Sequence, residues 1–219
     1  MGEGLPLCLR AFVANYMIKK LTDKSGFSLF ELIVTLSIFG VMMAIAIPSF
    51  LSYRPLMRVN SAARELSSNM QWARMKAVSE NNNFVIQFNS ANNSFSIYDD
   101  DDSDWTTTGD NTLLWTVTLP DGIKFGRALA GVNRTSCGGT IATDGIHLPG
   151  GGTRLTFQAK GTISGTGASI YLIPTIDDEN NAQRTDRWRA ISMSLGGRIK
   201  IWKYDTTAVD CGNSQGPWS

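Results

Sequence analysis

Residues 26–51 read GFSLFELIVTLSIFGVMMAIAIPSFL, and this stretch decides the fold. From Phe27 to Leu51 the chain runs 25 residues with one formal charge, the carboxylate of Glu31. About 20 helical residues, rising about 1.5 Å each, cross a bilayer core of roughly 30 Å. The run is long enough to span. It exceeds the apolar region of a cleavable secretory signal, roughly 7–15 residues. A helix buried in a soluble domain is rarely apolar on every face for this length. Lys19, Lys20 and Lys24 precede the run. Cations beside a first membrane helix hold that end in the cytoplasm, which places the rest of the chain outside it. Glu31 is the anomaly. A carboxylate in hydrocarbon is costly, so it either snorkels to the interface or pairs with a cation of another subunit.

Beyond Leu51 the helix is expected to continue. Ser52-Tyr53-Arg54-Pro55 reads as a joint near the membrane surface. Leu56, Val59, Ala63, Leu66, Met70, Ala73 and Ala77 then recur at alternating spacings of three and four, an apolar stripe on one helix face. Asn81-Asn82-Asn83 stops it. If continuous, this helix is about 80 Å long. From Phe84 the pattern alternates as strands do. Strands are expected at 84–88, 94–98, 113–119, 123–125, 155–157, 169–173, 188–193 and 198–203. Gly161–Gly167 reads as a turn-rich strand pair, and 131–152 as a long Gly-rich loop. One helix followed by many short strands predicts an α+β fold, with antiparallel sheet on the helical stripe.

Composition leaves the function open and excludes several classes. With 42% hydrophobic and 18% charged residues among 219, the chain is an ordinary globular one with one membrane segment. The net charge of +1 gives no general argument for a polyanionic partner. Enzyme readings find no footing. There is no Gly-x-Ser-x-Gly elbow, no phosphate-cradling Gly-Lys-Ser/Thr loop, and His147 is the only histidine. No cofactor is expected.

Gly26 followed by Phe27-Ser28-Leu29-Phe30-Glu31 and an apolar helix resembles the signal of type IV pilins and pseudopilins. Ser61–Leu66, Gln71–Ala77, Arg189–Ser192 and Gly197–Ile201 resemble the H-type pseudopilin and FimT/FimU minor pilin family (GspH/FimT). The resemblance implies a pilin-like fold. It implies a leader of residues 1–26, whose true start is Met1 or Met17. It implies cleavage by a prepilin peptidase between Gly26 and Phe27, with N-methylation of Phe27. Residues 27–51 would then be the transmembrane half of the helix, 52–80 the amphipathic half, and 81–219 an extracytoplasmic β-rich domain. Glu31 would neutralise the terminal amine of a neighbouring protomer. Pro48 falls where pilins place a helix-loosening proline. Other pilin subunits, the peptidase, an inner-membrane assembly platform and membrane lipid are the implied partners. The implied role is a minor pseudopilin of type II secretion in the inner membrane, with its domain in the periplasm. A type IV minor pilin that primes assembly is the same-family alternative, and a DNA receptor at a pilus tip is the different one.

Loss of the leader removes four basic and two acidic residues, giving a mature net charge of −1. It also removes Cys8 and leaves Cys137 and Cys211. An even pair in an oxidising compartment predicts a disulfide between them, against two free thiols. Two clusters remain. Asp100, Asp102 and Asp104 are candidate calcium ligands, but an EF-hand loop beginning at Asp100 would place Trp105 sixth and Asn111 twelfth, where Gly and Glu are needed. The stretch therefore reads as a solvated hairpin tip. Arg184, Arg187, Arg189, Arg198, Lys200 and Lys203 alternate with Trp188 and Trp202, a composition that suits nucleic acid. Some FimT-like receptors use Gly-Arg-x-Arg near the carboxyl end. Here Gly197-Arg198-Ile199-Lys200 keeps the charge but loses one guanidinium fork. The plain alternative is a strand with its polar face in water.

Overall fold

The structure is a computed structural model, and it describes residues 26–100, 111–136, 138–180, 184–205 and 218–219. Cys137, Cys211, Asp102 and Asp104 lie outside the described residues, and the disulfide and calcium expectations with them.

Helix α1 runs from Leu29 to Glu80, 52 residues. Pro48 and Pro55 both fall inside it. The expected joint at Ser52–Pro55 is therefore helical: a proline deletes one backbone donor, and the neighbouring turns hold the rest of the ladder. The chain divides into two compact units, the second beginning at Leu51. In the first, every described residue is exposed.

In the second unit six of the seven stripe residues, Val59, Ala63, Leu66, Met70, Ala73 and Ala77, are at most 1% exposed, as is Ala62 beside them, while Leu56 at the start of the stripe is half-buried. Small residues at 62, 63, 73 and 77 let the sheets approach the helix closely. Two antiparallel sheets cover it. The first has the order β3-β2-β1-β6, built from Thr112–Thr118, Ser94–Asp100, Asn83–Asn89 and Arg154–Phe157. The second has the order β4-β7-β8-β9, built from Ile123–Phe125, Ala168–Pro174, Arg189–Met193 and Ile199–Lys203. Short β5, Ile146–His147, pairs with β7.

The second sheet has a core on each face. Ile170, Leu172, Ile191 and Met193 point toward the stripe. Tyr171, Ile173 and Ala190, one residue out of phase, join Trp188 and Trp218 in a separate cluster. Trp188 stacks on Tyr204 at 5.1 Å and meets Trp218 edge-on at 5.2 Å. A strand buried on both faces reads as a near-continuous apolar run, and Ala168–Pro174, buried at every position, is apolar but for Ser169 and the Tyr171 hydroxyl.

Most expected strands hold to within a residue or two. Gly161–Gly167 does not form a strand pair. Gly161 and Gly165 take φ of +74° and +88°, so the segment turns at both ends and keeps one bridge, Phe157 to Ile163. The Gly-rich loop contains a strand the sequence reading missed, β5. Arg134 holds this loop by bonding the Gly138 carbonyl and contacting His147 Nε2, while the Thr135 N–H donates to the Tyr171 hydroxyl at 2.9 Å.

Burial first, and the Arg134 charge second, hold the His147 pKa below its ordinary 6.5. Below about pH 6.5 the unfolded chain takes up a proton there that the folded chain refuses, so stability falls as pH falls toward the folded value. Melting temperature is expected to drop between about pH 7 and pH 5, and His147→Gln to flatten that part of the profile. An unchanged slope in His147→Gln would show that other groups carry it.

Candidate functional site

The amino-terminal stretch is built for access. Phe27 is 78% exposed, and a Cβ placed on Gly26 would meet nothing within 4 Å. The Leu32 N–H donates to the Ser28 carbonyl at 3.1 Å, which makes Ser28 the residue that opens α1. Glu31 then sits third in the helix, the spacing of a capping box. There its charge faces the positive end of the helix dipole. Two hydroxyls within the run are satisfied internally: Thr35 Oγ1 donates to the Leu32 carbonyl at 2.9 Å and Ser37 Oγ to that of Ile33 at 2.8 Å. Glu31 is the only formal charge the run presents to its surroundings. An apolar surface of this extent marks contact with membrane or protein.

The basic cluster is divided. Arg187 is buried and pairs with Asp177 at 3.2 Å. Arg189 is buried on the stripe-facing side of β8, where its Nε donates to Asn60 Oδ1 at 2.7 Å, and burial lowers its pKa. Arg184 pairs with Asp186 at 3.0 Å. Arg198, Lys200 and Lys203 are exposed. Lys203 lies opposite Arg189 in the β8–β9 register, out of phase with Arg198 and Lys200. Trp188 is fully buried, so no base can stack on it. Trp202 is covered by Lys200, whose Nζ lies 3.3 Å from the ring centroid. Six cations close in sequence thus make no single cationic surface.

Residues 62–197 match the family described as type II transport protein GspH. The chain belongs to the GspH family. Residues 21–47 match the prokaryotic N-terminal methylation motif, which covers Gly26, Phe27 and Glu31. Two solved structures are similar in outline. The type IV minor pilin FimU of Pseudomonas aeruginosa is 22% identical over 65% of this chain and 87% of its own, with a TM-score of 0.42. The minor pseudopilin EpsH from the type 2 secretion system of Vibrio cholerae is 11% identical over 67% and 97%, with a TM-score of 0.45. No curated protein is similar at the level of a match.

As a GspH-family minor pseudopilin, the chain is a structural subunit that associates with others of its kind. One residue that positions its domain was not legible in the sequence. In the sequence Arg74 stands only within Gln71–Ala77, with no role of its own. In the fold its Nε donates to the Gly161 carbonyl at 2.8 Å and its Nη2 to that of Gly196 at 3.1 Å. It fastens the β8–β9 turn, which precedes Arg198, to the helix. No local signal marks this, because both acceptors are backbone atoms far along the chain.

Proposed function

We propose that this minor pseudopilin enters the inner membrane through residues 27–51 with its β-domain in the periplasm. A prepilin peptidase cuts it between Gly26 and Phe27 and methylates Phe27. It then joins the short pseudopilus of a type II secretion system through its helix, with Glu31 facing the terminal amine of a neighbour and Pro48 loosening the helix where subunits pack. Residues 1–26 are the leader and 81–219 the domain presented to other subunits. The observation that carries this reading is the pairing, on one chain, of the methylation motif over 21–47 with the GspH match over 62–197. The exposed, apolar first part of α1 supports it, because a helix apolar on every face needs lipid or neighbouring helices around it.

Intact mass and amino-terminal peptide analysis of membrane-purified protein, with and without active prepilin peptidase, test it. A chain beginning at N-methyl-Phe27 only when the peptidase is active is the expected result. A chain that keeps residues 1–26 beside active peptidase would leave a simple membrane-anchored β-domain.

A further inference from the structure

Where α1 enters the second unit, it forms one wall of a cleft of about 220 Å³. Leu51, Arg54 and Arg58 supply that wall, and Gly122, Thr175 and Ile176 stand among the residues opposite. Arg54 and Arg58 are four residues apart, so their side chains rise from one helix face. Two like charges at that spacing repel unless an anion lies between them. No ion pair to either is found among the described residues. No acidic residue occurs between Glu31 and Glu65, and none lines the cleft. Asp177 and Asp178, which follow Ile176, are engaged by Arg187 at 3.2 Å and Lys124 at 2.7 Å. The Arg58 Nη1 donates to the Asp121 backbone carbonyl at 3.0 Å, a neutral acceptor that orients the guanidinium, and Arg58 forms no ion pair with the Asp121 carboxylate or any other among the described residues. Arg54 is exposed and makes no hydrogen bond or ion pair among the described residues.

Two guanidinium forks beside apolar Leu51 and Ile176 suit a phosphodiester carried on a hydrocarbon body. Leu51 also ends the apolar run, and Arg54 follows it by three residues, about 4.5 Å of helix rise. That is the depth at which lipid headgroups lie against a spanning helix, and juxtamembrane cations are drawn to anionic ones. We propose that this cleft binds the phosphodiester headgroup of an anionic phospholipid and releases it when the subunit leaves the membrane. The proposal rests on the reading of residues 27–51 as a membrane span.

The test uses the full chain in nanodiscs of phosphatidylglycerol and phosphatidylcholine with identical acyl chains, and native mass spectrometry to count the lipid each released chain retains. Wild type is expected to keep phosphatidylglycerol in preference to phosphatidylcholine by about tenfold. R54Q/R58Q should lose the preference at an unchanged melting temperature, and R54K/R58K, which keeps charge without the forks, should retain part of it. Equal retention of both lipids by wild type, or undiminished preference in R54Q/R58Q, would overturn the proposal. Stripping of the lipid by excess inorganic phosphate would make this a free-anion site and overturn the lipid assignment. Loss of subunit co-purification in R54Q/R58Q, with lipid retention intact, would assign the cleft to a neighbour's carboxylate instead. A chain that enters neither kind of disc would reject the membrane span itself, and this proposal with it.

Discussion

Glu31→Ala is expected to be cut and inserted normally yet to drop out of filaments, with subunit association weakened by more than about 100-fold. Glu31 is the only formal charge between Phe27 and Leu51. On the proposed reading, removal of the leader gives each subunit a new amine that brings a positive charge into the same apolar layer. Within a bundle of such helices neither charge has water to fall back on. Removing one partner of a buried ion pair leaves the other uncompensated, at about 3–5 kcal/mol. Glu31→Gln keeps the shape without the charge and should fail nearly as badly. Co-purification with a tagged neighbouring pseudopilin, alongside the mass of the processed chain, separates assembly from cleavage. Wild-type recovery of Glu31→Ala in filaments would show that the carboxylate is a snorkelling group with no partner.

Gly197→Ala should destabilise the domain by about 3 kcal/mol, which lowers the melting temperature by roughly 6–12 °C for a domain of this size. Gly197 takes φ of +75°, where an L side chain is strained. An added Cβ would also lie 2.2 Å from the Gly161 carbonyl oxygen and 2.6 Å from Arg74 Nε. Neither can withdraw freely. The Gly161 carbonyl is held by Arg74, and the turn is closed by the Gly197 N–H to the Ser194 carbonyl at 2.8 Å and the Ser194 N–H to that of Arg198 at 3.1 Å. The alanine must break the Arg74 clamp or open the turn. Gly196→Ala is the control: no atom lies within 4 Å of its Cβ, and a change of within about 0.5 kcal/mol is expected. Thermal melts of the full chain in detergent compare the two. Equal melting temperatures would show that the clamp contributes nothing.

The features legible in the sequence share a physical property: they depend on neighbours one turn or one strand away. The stripe from Val59 to Ala77 is buried as its spacing predicts because a helix with one apolar face has one way to hide it. The strands are legible where alternation is clean, as at Ser94–Ile97. They were misjudged at Gly161–Gly167, where glycine φ angles decide and leave no hydropathy pattern. β5 is two residues long and pairs with β7 across 24 positions, too short to impose a period of its own. The cationic stretch from Arg184 to Lys203 was misleading for the opposite reason. Its composition is local, but its exposure is set by partners as distant as Asn60 and Asp177.

By itself the sequence determined a run long and apolar enough to span a membrane, the amphipathic half of the helix and a β-rich domain, which follow from hydropathy and period along the chain, while the Gly26–Phe27 motif with Glu31 is read from its resemblance to the pilin signal. Tertiary structure alone decided that the described strands form two sheets, that β7 is buried on both faces, and that Arg187 and Arg189 are core residues while Arg198 and Lys200 face water. It alone set Arg74 against backbone carbonyls 87 and 122 residues away and left Arg54 and Arg58 without an ion pair among the described residues. The physical reason is desolvation: whether a charge is paired, buried or open depends on which distant segment folds over it, and no local period records that.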